Sequence, residues 1–242
     1  MLFFNTKDKV FSKKKRYIGK FVFNKKVAAV FNDMLDRSVP FYKEVIRMTA
    51  EISRDYFRKG STIYDLGCST GTQIIALHNM ISNACITGVD NSPAMINKAV
   101  KNIKKAGYDS NTKLVCRDIN SSPPENCSVC IMNYTLQFIQ PEQRSGLLQS
   151  IYRNLLPGGI LILSEKTKTG PEFFLDSRRY YFDMKRRNGY SELEIANKRD
   201  ALEERLIPFT EKKLIELAAA AGFREYSVFF KWYLFTSLVL KK

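Results

Sequence analysis

From Ser61 to Lys166 the chain repeats one pattern: a short apolar run, a turn, then a stretch with apolar residues three and four apart. "STIYDLG" reads as a buried strand and "GTQIIALHNMI" as the helix after it. "ACITGVD" is a second strand. "SPAMINKAVKNIKKAG" is the next helix, with Ser92 placed to cap it and Pro93 at its first position. "TKLVCRDI" and "SVCIMNYTLQFI" supply a third and a fourth strand. "PEQRSGLLQSIYRNLL" is helical as far as "PGG", and "ILILSEK" is the fifth strand. Such alternation calls for a parallel sheet wound with helices on both faces. The last stretch, "EYSVFFKWYLFTSLVL", reads as two strands in an antiparallel hairpin at one sheet edge.

Two regions stand outside the alternation. Upstream, "KKVAAVFNDMLDRSV" and "YKEVIRMTAEISRDYF" are helical and are separated at Pro40. Downstream, residues 170–207 read as a helical insertion between the fifth strand and the helix "TEKKLIELAAAAG". Loops leaving the carboxyl ends of parallel strands surround the ligand crevice of such folds. The insertion is therefore expected to form part of the active site, as a lid or shelf. At 242 residues, one domain spanning 1–242 is expected, with 1–24 as a basic N-terminal segment.

Lysine and arginine number 39 against 24 acidic residues, for a formal charge of +15. A basic surface is the footprint of phosphate binding, and the same field attracts small anionic substrates. Lys7, Lys9, Lys13, Lys14, Lys15 and Arg16 crowd the start of the chain, where a mobile basic arm is expected. Five cysteines, an odd count, argue against a disulfide framework. Cys127 and Cys130 form a lone C-x-x-C that runs into a strand, and a structural zinc site wants four ligands. The single histidine, His78, excludes chemistry built on several His ligands and leaves a His base without an obvious partner. No metal is implied. The N-terminus lacks the apolar core of a secretory signal, and no apolar run nears the roughly 20 residues that span a bilayer. A cytoplasmic protein is expected.

The strand ends carry the candidate site. "YDLGCSTGT" places Gly67 and Gly71 between the first strand and its helix, where backbone N–H groups can face a ligand. Ser69 at the middle position breaks the dinucleotide G-x-G-x-x-G pattern. Asp90 ends the second strand, suited to a pair of ribose hydroxyls. Asp118 and Ile119 end the third, suited to an adenine amine and ring. Asn133 ends the fourth, near an amino-acid portion. At these residues the sequence resembles the class I S-adenosylmethionine-dependent methyltransferases. That implies a Rossmann-like α/β fold: a mostly parallel seven-stranded sheet, an antiparallel C-terminal hairpin and a helical insertion after strand five.

A narrower resemblance is carried by "VAAVFNDMLDRSVPFY", "YDLGCS", "DNSPAMI", "NYTLQF", "LSEK" and "NGYSELEI" followed by "KR". These stretches are similar to the carboxy-S-adenosylmethionine synthases, from about Val27 to the C-terminus. The resemblance implies that S-adenosylmethionine is a substrate. Prephenate gives up a carboxylate as CO2, leaving phenylpyruvate and water, and the carboxyl group ends on the sulfonium methyl through a ylide. The base comes from prephenate itself. The carboxylated product then serves a separate enzyme that modifies the wobble uridine of transfer RNA, so direct nucleic-acid binding is not required. The resemblance also implies a homodimer.

Residue by residue, it places Tyr42, Gly67, Cys68, Ser69, Asp90, Asn91, Asp118, Ile119 and Asn133 around S-adenosylmethionine, with Cys68 acting through its backbone. Arg199 is placed as the partner of the transferred carboxylate, a bidentate role that Arg fills better than Lys. A helix ion pair with Glu203 is the plainer reading of Arg199. The chain departs from the family in having Tyr180 and Tyr181 where members carry a His pair, and Phe229, Phe230 and Lys231 where they carry Trp-Phe-Gln. Two alternatives share the fold: a methyltransferase acting on a small molecule or RNA, and a non-catalytic binding module.

Overall fold

A computed structural model of the protein describes residues 7–13 and 19–242. Its strands are β1 (Thr62–Leu66), β2 (Cys85–Asp90), β3 (Thr112–Cys116), β4 (Cys127–Asn133), β5 (Leu155–Lys166), β6 (Glu225–Trp232) and β7 (Phe235–Lys241). They form one sheet in the order β3-β2-β1-β4-β5-β7-β6. The first five strands run parallel, and β7 inserts antiparallel between β5 and β6. Helices α3 (Thr72–Met80), α4 (Pro93–Ala106) and α5 (Pro141–Asn154) make the crossovers. Helices α1 (Lys25–Ser38) and α2 (Tyr42–Tyr56) precede the sheet, and α6 (Pro171–Arg187), α7 (Glu192–Leu202) and α8 (Glu211–Ala221) follow β5.

The central strand β4 explains the layering. Every residue from Cys127 to Met132 is buried, so both of its faces must be covered by helices. One apolar cluster lies on the side of α5 and α8, and another on the side of α3 and α4. Local chemistry sets the helix ends. Ser92 accepts from the Met95 amide to start α4, and left-handed Gly107 ends it. Ser191 and Glu194 form a capping box at the start of α7. His78 stacks on Tyr108 and shares a hydrogen bond with Thr112, a structural setting.

Three details depart from the sequence reading. β5 begins at Leu155 and runs through the "PGG" turn rather than after it. A Cβ on Gly159 would lie 2.9 Å from the carbonyl oxygens of Leu156 and Ser128, so only glycine lets β5 approach β4 there. β4 stops at Asn133, because Tyr134 turns left-handed (φ 59°) and residues 136–138 form a 3-10 turn.

The third departure is the N-terminal segment, where a mobile basic arm was expected. Lys14, Lys15 and Arg16 lie outside the described residues, but the residues around them are held. Asp8 is 1% exposed and accepts from the Tyr190 hydroxyl at 2.6 Å. Its amide donates to Asp33 at 2.7 Å, and its carbonyl accepts from Arg37 at 3.2 Å. Phe21 donates its amide to Ala201 on α7, and Asn197 donates to the carbonyl of Phe11. Phe11, Phe21, Phe23 and Phe31 pack in sequence on one another. The aromatic residues scattered among the lysines hold this segment as a strap across α1 and α7.

Among the described residues no helix is long and apolar enough to cross a membrane. Replacing Asp8 with Ala strands the buried Tyr190 hydroxyl, at a cost of about 1–3 kcal/mol. Urea unfolding of the Asp8→Ala variant should show that loss as a lower midpoint with an unchanged slope.

Candidate functional site

Because β1, β2 and β4 run parallel in close register, their carboxyl ends open onto one cavity. Tyr42, Gly67, Cys68, Ser69, Asp90, Asn91, Asp118, Ile119 and Asn133 all line it. Arg199 does not. It lies on the exposed side of α7, paired with its neighbour Asp200 at 2.8 Å rather than with Glu203.

The loop after β1 works differently from the sequence expectation. The amides of Gly67 and Cys68 both donate to the Val89 carbonyl, and that of Ser69 donates to Asp90. Those N–H groups fasten the loop to β2 and are spent inside the protein. What Gly67 supplies is space: at φ 86° it takes a left-handed turn, and a Cβ there would collide with the Thr135 side chain. The Cys68 thiol is buried, and burial holds it well above the ordinary thiol range, so it is no nucleophile.

Asp90 is fixed by two amides, from Ser92 at 2.8 Å and Ser69 at 3.0 Å, one to each oxygen. Each oxygen keeps a lone pair toward the cavity, the arrangement a vicinal diol requires. Burial raises the Asp90 carboxyl above its usual range, and the amides of Ser92 and Ser69 oppose that rise. Asp118 caps the turn at Asn120 and stays exposed, while Ile119 is buried beside it. Tyr42 opens α2 immediately after left-handed Phe41, which turns its ring into the cavity.

Several further lining residues escaped the sequence reading. Asp65 is 2% exposed, and its Oδ2 has no hydrogen-bond partner. Asn133 donates to Gln73 at 3.0 Å, which leaves its own Oδ1 unpartnered, and the Tyr134 hydroxyl is unpartnered too. Buried polar atoms without partners are rare, and three on one cavity describe the complement of a ligand rich in N–H and O–H groups. The unpartnered Asp65 oxygen is the natural seat of an ammonium group. These residues fit S-adenosylmethionine, the ligand that the sequence resemblance implies. Asp65 was legible as the acidic residue two places before Gly67.

The cavity lining also includes a basic set, drawn largely from the insertion. Lys166 at the end of β5, Lys198 on α7 and Arg205 beyond it all line the cavity, as does Tyr181 on α6. Tyr181 donates its hydroxyl to the Ser38 carbonyl at 3.1 Å. Tyr180, its neighbour, faces outward and packs tilted against Tyr233. Phe21 and Phe23 of the strap, with Phe235 of β7, complete the apolar part of the lining.

Comparison with known proteins agrees with this architecture. A family model described as a methyltransferase domain matches residues 63–159. A carboxy-S-adenosyl-L-methionine synthase of Methylococcus capsulatus is 41% identical over 241 residues, covering 98% of this chain and all of the relative. The enzyme of the same name from Shewanella pealeana is 38% identical, covering 98% of this chain and 99% of the relative. Both matches reach well into the segment before Val27. Among solved structures, human N-acetylserotonin methyltransferase in complex with S-adenosylmethionine superposes with a TM-score of 0.61 at 16% identity. It covers 90% of this chain and 55% of its own, a likeness of fold.

The Asp65 carboxyl is pushed up from 3.8 to about 7, first by burial and then by the charge of Asp90. In the free protein it therefore keeps its proton between those values. The stability that this provides is complete below pH 3.8 and lost as pH rises through about 7. A cationic ligand requires the ionised form. Affinity for S-adenosylmethionine should hold above pH 7 and weaken by about tenfold per unit below it. Titration calorimetry across this range should show the slope in the wild type and its loss in Asp65→Asn.

Proposed function

The chain belongs to the carboxy-S-adenosyl-L-methionine synthases, and on that premise we propose that it moves a carboxyl group onto the methyl of S-adenosylmethionine with prephenate as the donor. The observation that carries this reading is that one cavity is lined by both acids and bases. Asp65, Asp90 and Asp118 line it at the strand ends, and Lys166, Lys198 and Arg205 line it from β5, α7 and the segment after α7. A cationic sulfonium nucleoside suits the first set and an organic acid suits the second.

The reaction balances without a protein base. Prephenate loses CO2 and hydroxide together and becomes phenylpyruvate as its ring turns aromatic. The hydroxide takes a proton from the sulfonium methyl, giving water and a ylide. The ylide carbon then forms the new C–C bond to CO2. The tasks left to the protein are to hold both substrates and to exclude bulk water, which would quench the ylide and dilute the CO2. Phe21, Phe23, Tyr181 and Phe235 line the cavity where this exclusion is needed. The near-absence of histidine suits a route in which the substrate supplies the base.

Arg199 requires a second copy of the chain in this reading. Its guanidinium sits outside its own cavity, so we assign it to the carboxylate in the site of a partner within a homodimer. Phe173 and Leu175 on α6, 67% and 73% exposed, offer apolar surface for such an association. The product then passes to a separate enzyme acting on the wobble uridine of transfer RNA, and this chain need not touch RNA.

Mass spectrometry of the small molecule released on denaturing the purified protein tests the reading. The expected species is a sulfonium nucleoside heavier than S-adenosylmethionine by one CO2. If only S-adenosylmethionine or its demethylated form is released, and added prephenate yields no carboxylated product, methyl transfer replaces this proposal. Arg199→Ala should lower product formation by about tenfold or more, with Arg199→Lys recovering part of it.

A further inference from the structure

Most of the chain's excess positive charge is gathered in two stretches that hold no acid. Residues 9–32 contain eight lysines and arginines and no Asp or Glu. Residues 91–108 contain Lys98, Lys101, Lys104 and Lys105, again with no acidic residue. These twelve cations supply most of the net charge of +15. The fold brings the two stretches together. Helix α1 packs on α4. The Ser92 hydroxyl at the start of α4 donates to the Phe23 carbonyl at 2.5 Å, two residues before Lys25. An open groove runs between the helices: α1 contributes Lys25, Ala28 and Ala29 to its lining, and α4 contributes Ala94, Lys98 and Lys101.

On other helices, surface cations are balanced within a turn. Arg47 bonds Glu44 and Glu51 on α2, and Arg179 and Arg186 bond Asp176 and Asp183 on α6. The α1–α4 face has no such partners. Among the described residues Lys25, Lys26, Lys98, Lys101 and Lys104 form no ion pair. Four of these are exposed and Lys98 is half-buried. Lys98, Lys101 and Lys105 follow one another three and four residues apart, which sets them along one face of α4 over about 10 Å. Like charges at that spacing repel one another, a cost to the free protein that a bound polyanion removes. The cavity is served by a different face of α1, through Phe31, Met34 and Leu35.

From this arrangement we infer that the α1–α4 face binds the phosphate backbone of a double-helical nucleic acid, through charge rather than base contacts. Lysine ammonium groups are compact point charges that suit phosphate oxygens. A duplex presents roughly six phosphates over about 10 Å of its axis, the length of the α4 row. Among the described residues the groove lining carries no aromatic ring on which an unpaired base could stack, which disfavours a single strand. Nor does it carry the large apolar side chains with which a helix enters a lipid surface: exposed Val100 is its largest apolar residue. Carboxyl transfer does not require this contact, and the inference holds whichever group the cavity transfers.

Fluorescence anisotropy of the full-length protein tests this, with a labelled RNA duplex, a DNA duplex of the same sequence and one isolated strand as probes. Sedimentation with phosphatidylserine vesicles tests a lipid surface in parallel. A duplex should bind about fivefold or more tightly than the single strand, with affinity falling steeply from about 50 to about 200 mM salt. Preference for the RNA or the DNA duplex names the source, and either supports the inference. The double variant Lys98→Gln, Lys101→Gln should weaken duplex binding by about tenfold and reduce the salt slope by about two. The double variant Lys212→Gln, Lys213→Gln on α8 removes the same net charge from another surface and should keep duplex affinity within about twofold. Both should retain wild-type affinity for S-adenosylmethionine, a check on folding, since none of the four lysines lines the cavity. Equal losses in the two double variants reduce the effect to net charge and overturn the inference. So do tighter binding to the single strand, binding to vesicles without binding to a duplex, and no duplex binding at about 50 mM salt.

Discussion

The buried carboxylate of Glu165 holds the site in shape. Lying at the end of β5, it accepts from the amides of Leu136 and Gln137 at 2.9 and 2.8 Å, and so turns the chain sharply once β4 has ended. Burial raises this carboxyl to about 8, while the amides of Gln137 and Leu136 and the charge of Arg144 pull the other way. Arg144 reinforces the turn by donating to the carbonyls of Ile139 and Ile207, at 2.9 and 2.8 Å. Gln137 returns a bond of its own, accepting the Lys166 amide at 3.0 Å. From this one turn follow the placement of Asn133 and Tyr134 in the cavity and the position from which Lys166 enters it. A sheet edge alone would give parallel strand ends; the turn makes them a container.

The acidic and basic residues of the lining answer one electrostatic problem together. A sulfonium nucleoside needs carboxylates, and an acid substrate needs cations, yet both must fit in one space that keeps water out. Placing the acidic groups on β1, β2 and β3 ends and the basic ones on β5 and the insertion keeps them from pairing with each other and cancelling. Each charge is thus left for a ligand, which costs the empty protein stability and gives the filled one its complementarity.

Sequence reading recovered what depends on local chemistry. The succession of strands and helices, the Ser92 cap and the acidic residues at successive strand ends followed from periodicity and punctuation, because each is decided within a few residues. The rest is decided across the chain. Lys166, Lys185 and Lys198 meet only after β5, α6 and α7 are packed, and no spacing in the sequence announces them. Asp8 drew no reading from the sequence, because its partners Tyr190 and Arg37 are remote along the chain. The sequence resemblance assigned Arg199 to the cavity, yet the fold turns it outward, since α7 directs Lys198 inward and adjacent helix positions diverge by about a quarter turn.

The strap has a consequence for how the insertion is held. Its contacts bridge 182 residues between Asp8 and Tyr190, and Phe21 reaches Ala201. Closing so long a loop costs only slightly more entropy than closing a short one. The strap ties α7 to α1, so the helix that brings Lys198 to the cavity is fixed by residues remote from it in sequence.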